Sequence, residues 1–136
     1  MPTRSNSFPK SERLCSKKQL EELFASGVRP LSAFPIRVMA LRRPLSEAEP
    51  RVQVLMTVSK RRFKHAVDRN RAKRQLREAW RLNRDILLHV LPEALPDDQS
   101  LRMAFIWMTD EPQPTALVER KMRSLLHRLA EQLCVS

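Results

Sequence analysis

The chain has 136 residues and is 42% hydrophobic, enough for one core and too short for two. Lys and Arg total 26 against 15 Asp and Glu, a net charge of +11, so the expected partner is polyanionic, with nucleic acid ahead of an anionic membrane. The single glycine, Gly27, excludes glycine-rich phosphate loops and dinucleotide fingerprints, which need several glycines for close backbone approach.

Residues 1–13 contain Ser, Asn, Pro and Lys without periodicity and read as a flexible tail. Ser16 and Gln19 form a capping box, Leu20, Leu23 and Phe24 recur at helical spacing, and Gly27 suits a left-handed cap, so a helix is predicted from about Lys17 to Ser26. Alternation predicts strands over Pro35 to Leu41 and Arg51 to Val58, with a hairpin-type loop over Arg42 to Pro50. Asp68 is a good N-cap for a long helix reaching about Leu88. A third strand, Leu101 to Met108, puts Phe105 and Trp107 on one face. Thr115 can cap a last helix, whose stripe of Val118, Met122, Leu125, Leu126, Leu129 and Leu133 is wide enough to cover a sheet.

The charge is local. Eleven basic residues lie between Lys60 and Arg84 against Asp68 and Glu78, leaving 15 basic and 13 acidic residues elsewhere. At about 100° per residue, Ala72, Leu76, Ala79, Trp80 and Ile86 form the buried face of the long helix. Lys73, Arg74, Arg77, Arg81 and Arg84, with Asn70, form a stripe to one side of it. Arginine dominates this stripe, and a guanidinium grips phosphate through two hydrogen bonds or stacks on bases, which makes RNA a natural target.

Other chemistry is weakly supported. His65, His89 and His127 fall on separate elements in no HExxH or HxH arrangement, which argues against zinc. Asp97 with Asp98 and Asp110 with Glu111 sit in proline-flanked segments and read as solvated turns. Cys15 and Cys134 form no CxxC motif and suit free thiols in a reducing cytoplasm. A stand-alone nuclease lacks an acid or base constellation. A DNA-binding helix-turn-helix lacks the preceding helix, and no run of about 18 apolar residues could span a membrane. The residues alone leave open a structural RNA-binding protein, such as one of the ribosome.

The stretch from Thr57 to Arg81, TVSKRRFKHAVDRNRAKRQLREAWR, resembles the signature of the bacterial ribonuclease P protein component, the RNR-motif protein subunit. Ser59-Lys60, Ala66-Val67, Arg69-Asn70-Arg71, Lys73-Arg74 and Arg77-Glu78 carry the match. The resemblance implies an α+β fold, a two-layer α/β sandwich in the order helix-strand-strand-helix-strand-helix with a left-handed βαβ crossover, as in some ribosomal proteins. It implies a single domain over 14–136 behind the tail.

It also implies an accessory role in a cytoplasmic ribonucleoprotein that removes the 5′ leader of precursor tRNA. The ribonuclease P RNA subunit would perform the hydrolysis with Mg2+, and the protein itself would bind no cofactor, no metal, no DNA and no membrane. The RNA-facing set would be Lys60, Arg61, Arg62, Arg69, Asn70, Arg71, Lys73, Arg74, Arg77 and Arg81. A leader-binding cleft would be lined by Leu20, Phe24, Phe34 and Val38. The chain has Lys64 where the family often has glycine, and Leu20 where it often has a second aromatic.

Overall fold

The computed structural model describes residues 30–44, 51–95 and 97–135. The expected tail 1–13 and helix 17–26, with Cys15, Leu20 and Phe24, lie outside them. The described residues form β1 (Leu31–Ala33), β2 (Ile36–Pro44), β3 (Val52–Thr57), α1 (Ala66–Asn83), α2 (Asp85–Leu88), α3 (Leu91–Ala94), β4 (Gln99–Trp107) and α4 (Thr115–Val135).

The sheet order is β1-β2-β4-β3. β2 pairs antiparallel with β4, setting Val38 opposite Phe105, and β3 pairs parallel with it, setting Val54 opposite Met103. The expected hairpin between β2 and β3 is therefore not formed, because β4 stands between them. The alternating pattern that predicts each strand does not say which strands are neighbours. β3 and β4 lie side by side and parallel, so no tight turn can join them, and the chain returns through α1, α2 and α3.

Alternation sorts the strands into two faces. Ile36, Val38, Val54, Met56, Leu101, Met103, Phe105 and Trp107 form one core with α1 and α4, which gives the expected two layers. The predicted stripe of α4 is buried along its whole length, and Ala72, Leu76, Ala79 and Trp80 of α1 pack against it and the sheet. The Trp80 and Phe105 rings sit 5.7 Å apart and tilted, a favourable aromatic geometry. On the opposite face, Ala104 anchors a smaller cluster with Leu41 and Leu55.

Several boundaries differ from the sequence expectation. α1 starts at Ala66, with extended His65 as its N-cap, so Asp68 stands in the first turn and not at the cap. There its charge still favours the positive helix end. The long helix ends at Asn83, and in the next short helix Leu87 is buried while Ile86 is only partly so. Asn83 turns its amide back onto the Ala79 carbonyl at 2.9 Å and accepts from Arg123 at 3.3 Å, tying the end of α1 to α4. Thr115 is the first residue of α4: the Pro114 carbonyl takes the first helical amides, and the Thr115 hydroxyl accepts from Gln75 at 3.0 Å. β1 is an addition to the expected strands, being a three-residue edge strand with no pattern of its own.

Leu76 is fully buried and Leu82, on the same helix, is 52% exposed. Denaturant unfolding of Leu76→Ala should show a loss of about 2–5 kcal/mol, whereas Leu82→Ala should stay within about 0.5 kcal/mol of the parent.

Candidate nucleic-acid interface

The basic segment begins where β3 leaves the sheet. The Ser59 carbonyl accepts from the amides of Arg62 at 3.0 Å and Phe63 at 3.4 Å, closing a turn on which Lys60 and Arg61 stand exposed. Phe63 is buried, its ring 6.3 Å from Trp107, so the turn is anchored to the core. Arg62 pairs with Asp110 at 3.2 Å, and Arg69 donates through Nη1 to the carbonyls of Phe63 at 2.8 Å and Lys64 at 3.1 Å. These contacts hold a cationic loop at the entrance to α1.

Along α1 the buried arc leaves Asn70, Arg71, Arg74 and Arg77 exposed on one side, with Lys73 and Arg81 partly so. Arg71, Lys73, Arg74 and Arg77 make no side-chain hydrogen bond or ion pair among the described residues. Arg81 differs, because it forms an ion pair with Glu78, its Nε donating at 3.2 Å. That hydrogen bond, helped by the adjacent positive charge, holds the Glu78 carboxyl below the usual carboxylate range. Arg84, placed on the stripe by helical spacing, is only 3% exposed at the C-terminal cap of the helix.

The other face of the sheet carries a second basic feature. A groove of about 350 Å³ is lined by Arg37, Thr57, Ser59, Arg61, Arg62 and Trp107, with Ile106 and Met108 beside them. Arg37 and Thr57 flank Ile106 in register, so the three side chains form one row at the end of the strands. Arg37 Nε and Trp107 Nε1 are buried without a hydrogen-bond partner among the described residues. Phe34, in the turn between β1 and β2, is 59% exposed at the same end of the sheet, where the Met108 amide donates to the Pro35 carbonyl at 2.8 Å.

Val38 corrects one expectation. It is 2% exposed and belongs to the core beneath the helices, so it lines no cleft on the opposite face. The residue one step earlier, Arg37, is on the opposite face and lines the groove there. The signal for it in the sequence is a cation alternating with Ile36 and Val38, which puts it on the face that the core leaves free.

His89 and His127, assigned to separate elements, line one groove of about 650 Å³ together with Asp85, Glu131 and Cys134. Their convergence depends on packing of the α2–α3 segment against α4, which spacing does not reveal. Among the described residues no group of three His, Cys, Asp or Glu side chains could hold a metal ion. No described helix is long and apolar enough to cross a membrane. Asp97, Asp98, Asp110 and Glu111 are exposed in turns, as expected, and Asp97 and Asp110 face Arg51 and Arg62.

A family model described as Ribonuclease P matches residues 8–130. The ribonuclease P protein component of Chlorobaculum tepidum is 38% identical over 107 residues, covering 76% of this chain and 69% of that protein. That of Porphyromonas gingivalis is 36% identical over 121 residues, covering 89% and 85%. In fold the chain is similar to the Staphylococcus aureus RNase P protein, with a TM-score of 0.65 at 14% identity, covering 88% of this chain and 96% of that one. It is also similar to the RNase P protein of Thermotoga maritima, with a TM-score of 0.60 at 21% identity, covering 86% and 96%. A basic helix and loop of this make, on a fold shared with those proteins and with matches of this length, place the chain in the bacterial ribonuclease P protein family.

Proposed function

We propose that this subunit of ribonuclease P binds the catalytic RNA through the loop 59–64 and the exposed side of α1, and receives the 5′ leader of precursor tRNA along the groove of Arg37 and past the exposed Phe34 at the same end of the sheet. The observation that carries the reading is that Arg71, Lys73, Arg74 and Arg77 share one side of a helix with no partner among the described residues. Like charges at i,i+4, as in Lys73 and Arg77, cost an isolated helix a few tenths of a kcal/mol, roughly, per pair. A phosphate backbone lying against them adds attractions that outweigh this repulsion. A purely structural RNA-binding protein is not favoured, since the family match spans residues 8–130.

The protein's part in the reaction is to bind and orient. Cations on the loop and helix offset the repulsion between the RNA subunit and its RNA substrate. Exposed Phe34 offers a face on which a single-stranded base can stack, and the Arg37 guanidinium stands near enough to the same end of the sheet to meet a phosphate. The metal ions belong to the RNA in this reading. The holoenzyme acts in the cytoplasm, on RNA and not on DNA or a membrane.

Reconstitution with the RNA subunit of the same genome should restore precursor-tRNA cleavage at low magnesium, while the protein freed of RNA cleaves nothing. Activity in the RNA-free protein would overturn this division of labour. Replacing Arg71, Arg74 and Arg77 by Ala should leave thermal unfolding unchanged. It should flatten the salt dependence of RNA binding by about 0.7–0.9 for each phosphate the variant no longer neutralises.

Glu78→Gln tests the same surface in the other direction. With the negative charge of Glu78 removed from this surface, RNA binding should tighten and the salt slope steepen. Because the carboxyl of Glu78 is held low, the pair's contribution persists above the ordinary carboxylate range and disappears as pH falls through the lowered value. The parent and the Gln variant should therefore converge in affinity at acid pH.

Phe34→Ala should keep its stability, since the ring is mostly exposed, and lose preference for leader-bearing precursor over mature tRNA by about 1–3 kcal/mol per stacked base. A stable variant with its preference intact removes Phe34 from the leader path.

A further inference from the structure

Arg69 stands first in the Arg69-Asn70-Arg71 run, where its charge suggests a direct phosphate contact. Its geometry says otherwise. The guanidinium reaches back past the start of α1, and Nη1 donates to the carbonyls of both Phe63 and Lys64, at 2.8 Å and 3.1 Å. His65, the N-cap residue, makes no side-chain cap bond. The last residues of the loop are therefore held from within the helix by Arg69, and not by a cap.

The rest of the loop is fixed from other sides. The Ser59 carbonyl closes the turn that carries Lys60 and Arg61, Phe63 is sunk to 7% exposure beside Trp107, and Asp110 holds Arg62. Lys60 and Arg61 are exposed and make no side-chain hydrogen bond or ion pair among the described residues. Hydrogen bonds from a charged donor are stronger than neutral ones, so the fork on Phe63 and Lys64 is well suited to fixing this end. A loop ordered before binding loses less conformational freedom on meeting its ligand.

We propose that Arg69 is a positioning residue: it locks the cationic loop 59–64 in its RNA-ready shape and acts on RNA through Lys60 and Arg61, not through its own contact with phosphate. The proposal rests on the reading above that this loop touches the catalytic RNA.

The test is a double-mutant cycle on the full chain, titrated with ribonuclease P RNA transcribed from the same genome. One arm carries Arg69→Ala, a second Lys60→Ala with Arg61→Ala, and a third all three, with Arg74→Ala as the comparator in both backgrounds. Arg69→Ala should weaken RNA binding about 10-fold when the loop cations are present and less than about 2-fold when they are absent, a coupling in the range seen for residues that act as one unit. Arg74→Ala should cost the same in both backgrounds.

Equal losses for Arg69→Ala in the two backgrounds, whether from a direct phosphate contact or from a general defect in the fold, overturn the proposal. So does the absence of any loss. If the Lys60→Ala, Arg61→Ala protein binds RNA as tightly as the parent, the loop is not part of the RNA surface, and the broader reading fails at this loop. Should Arg69→Ala not fold, Arg69→Lys, which keeps the charge and gives up the fork, goes through the same cycle with the same criteria.

Discussion

Strand β4 needs a partner on each edge, because from Ser100 to Phe105 its side chains are buried, and an unpaired edge there would strand amides and carbonyls away from water. β2 covers one edge antiparallel and β3 the other in parallel. A parallel neighbour cannot be reached by a short turn, so the residues after β3 must travel back along the sheet before β4 can begin. The basic helix is part of that return path. Its position at the end of the strands, with its loop beside Trp107, follows from the pairing of β4.

The period of two along each strand then divides the labour between the faces. One set of side chains, from Ile36 to Trp107, is consumed by the core with α1 and α4. The other set is mixed, with Arg37, Gln53, Thr57 and Arg102 among Met39, Leu55, Ala104 and Ile106. Arg102 is buried there and donates to Gln53 at 3.2 Å across the strands, so part of that face is polar by construction. A protein whose sheet were apolar on both sides would have a larger core and no polar groove at this end of the sheet.

Charge in this chain is used in two ways. Some cations are committed within the fold: Arg69 to loop carbonyls, Arg62 to Asp110, Arg81 to Glu78, Arg123 to Glu119 and Asn83. Others, Arg71, Lys73, Arg74 and Arg77, meet no hydrogen-bond or ion-pair partner among the described residues. Exposed pairs such as Arg123 with Glu119 contribute about 0–1 kcal/mol, so the committed set shapes the surface more than it stabilises it. The uncommitted set is what a polyanion can neutralise.

Residue order by itself determined a good deal. The apolar arc of α1, the stripe of α4 and the three long strands were legible because a buried face imposes its period on the residues that line it, 3.6 for a helix and 2 for a strand. The RNR run and its basic neighbours were legible because like charges crowd one segment against the local helical preference. Tertiary structure alone decided what no local period encodes. It inserted β4 between β2 and β3, buried Arg84, brought His89 and His127 together, and turned Arg69 from an outward cation into the tie of its own loop. Each of these depends on contacts between residues distant in the chain or on the geometry of a helix end, and pairing across such distances is set by packing of the whole and not by the pattern of any one segment.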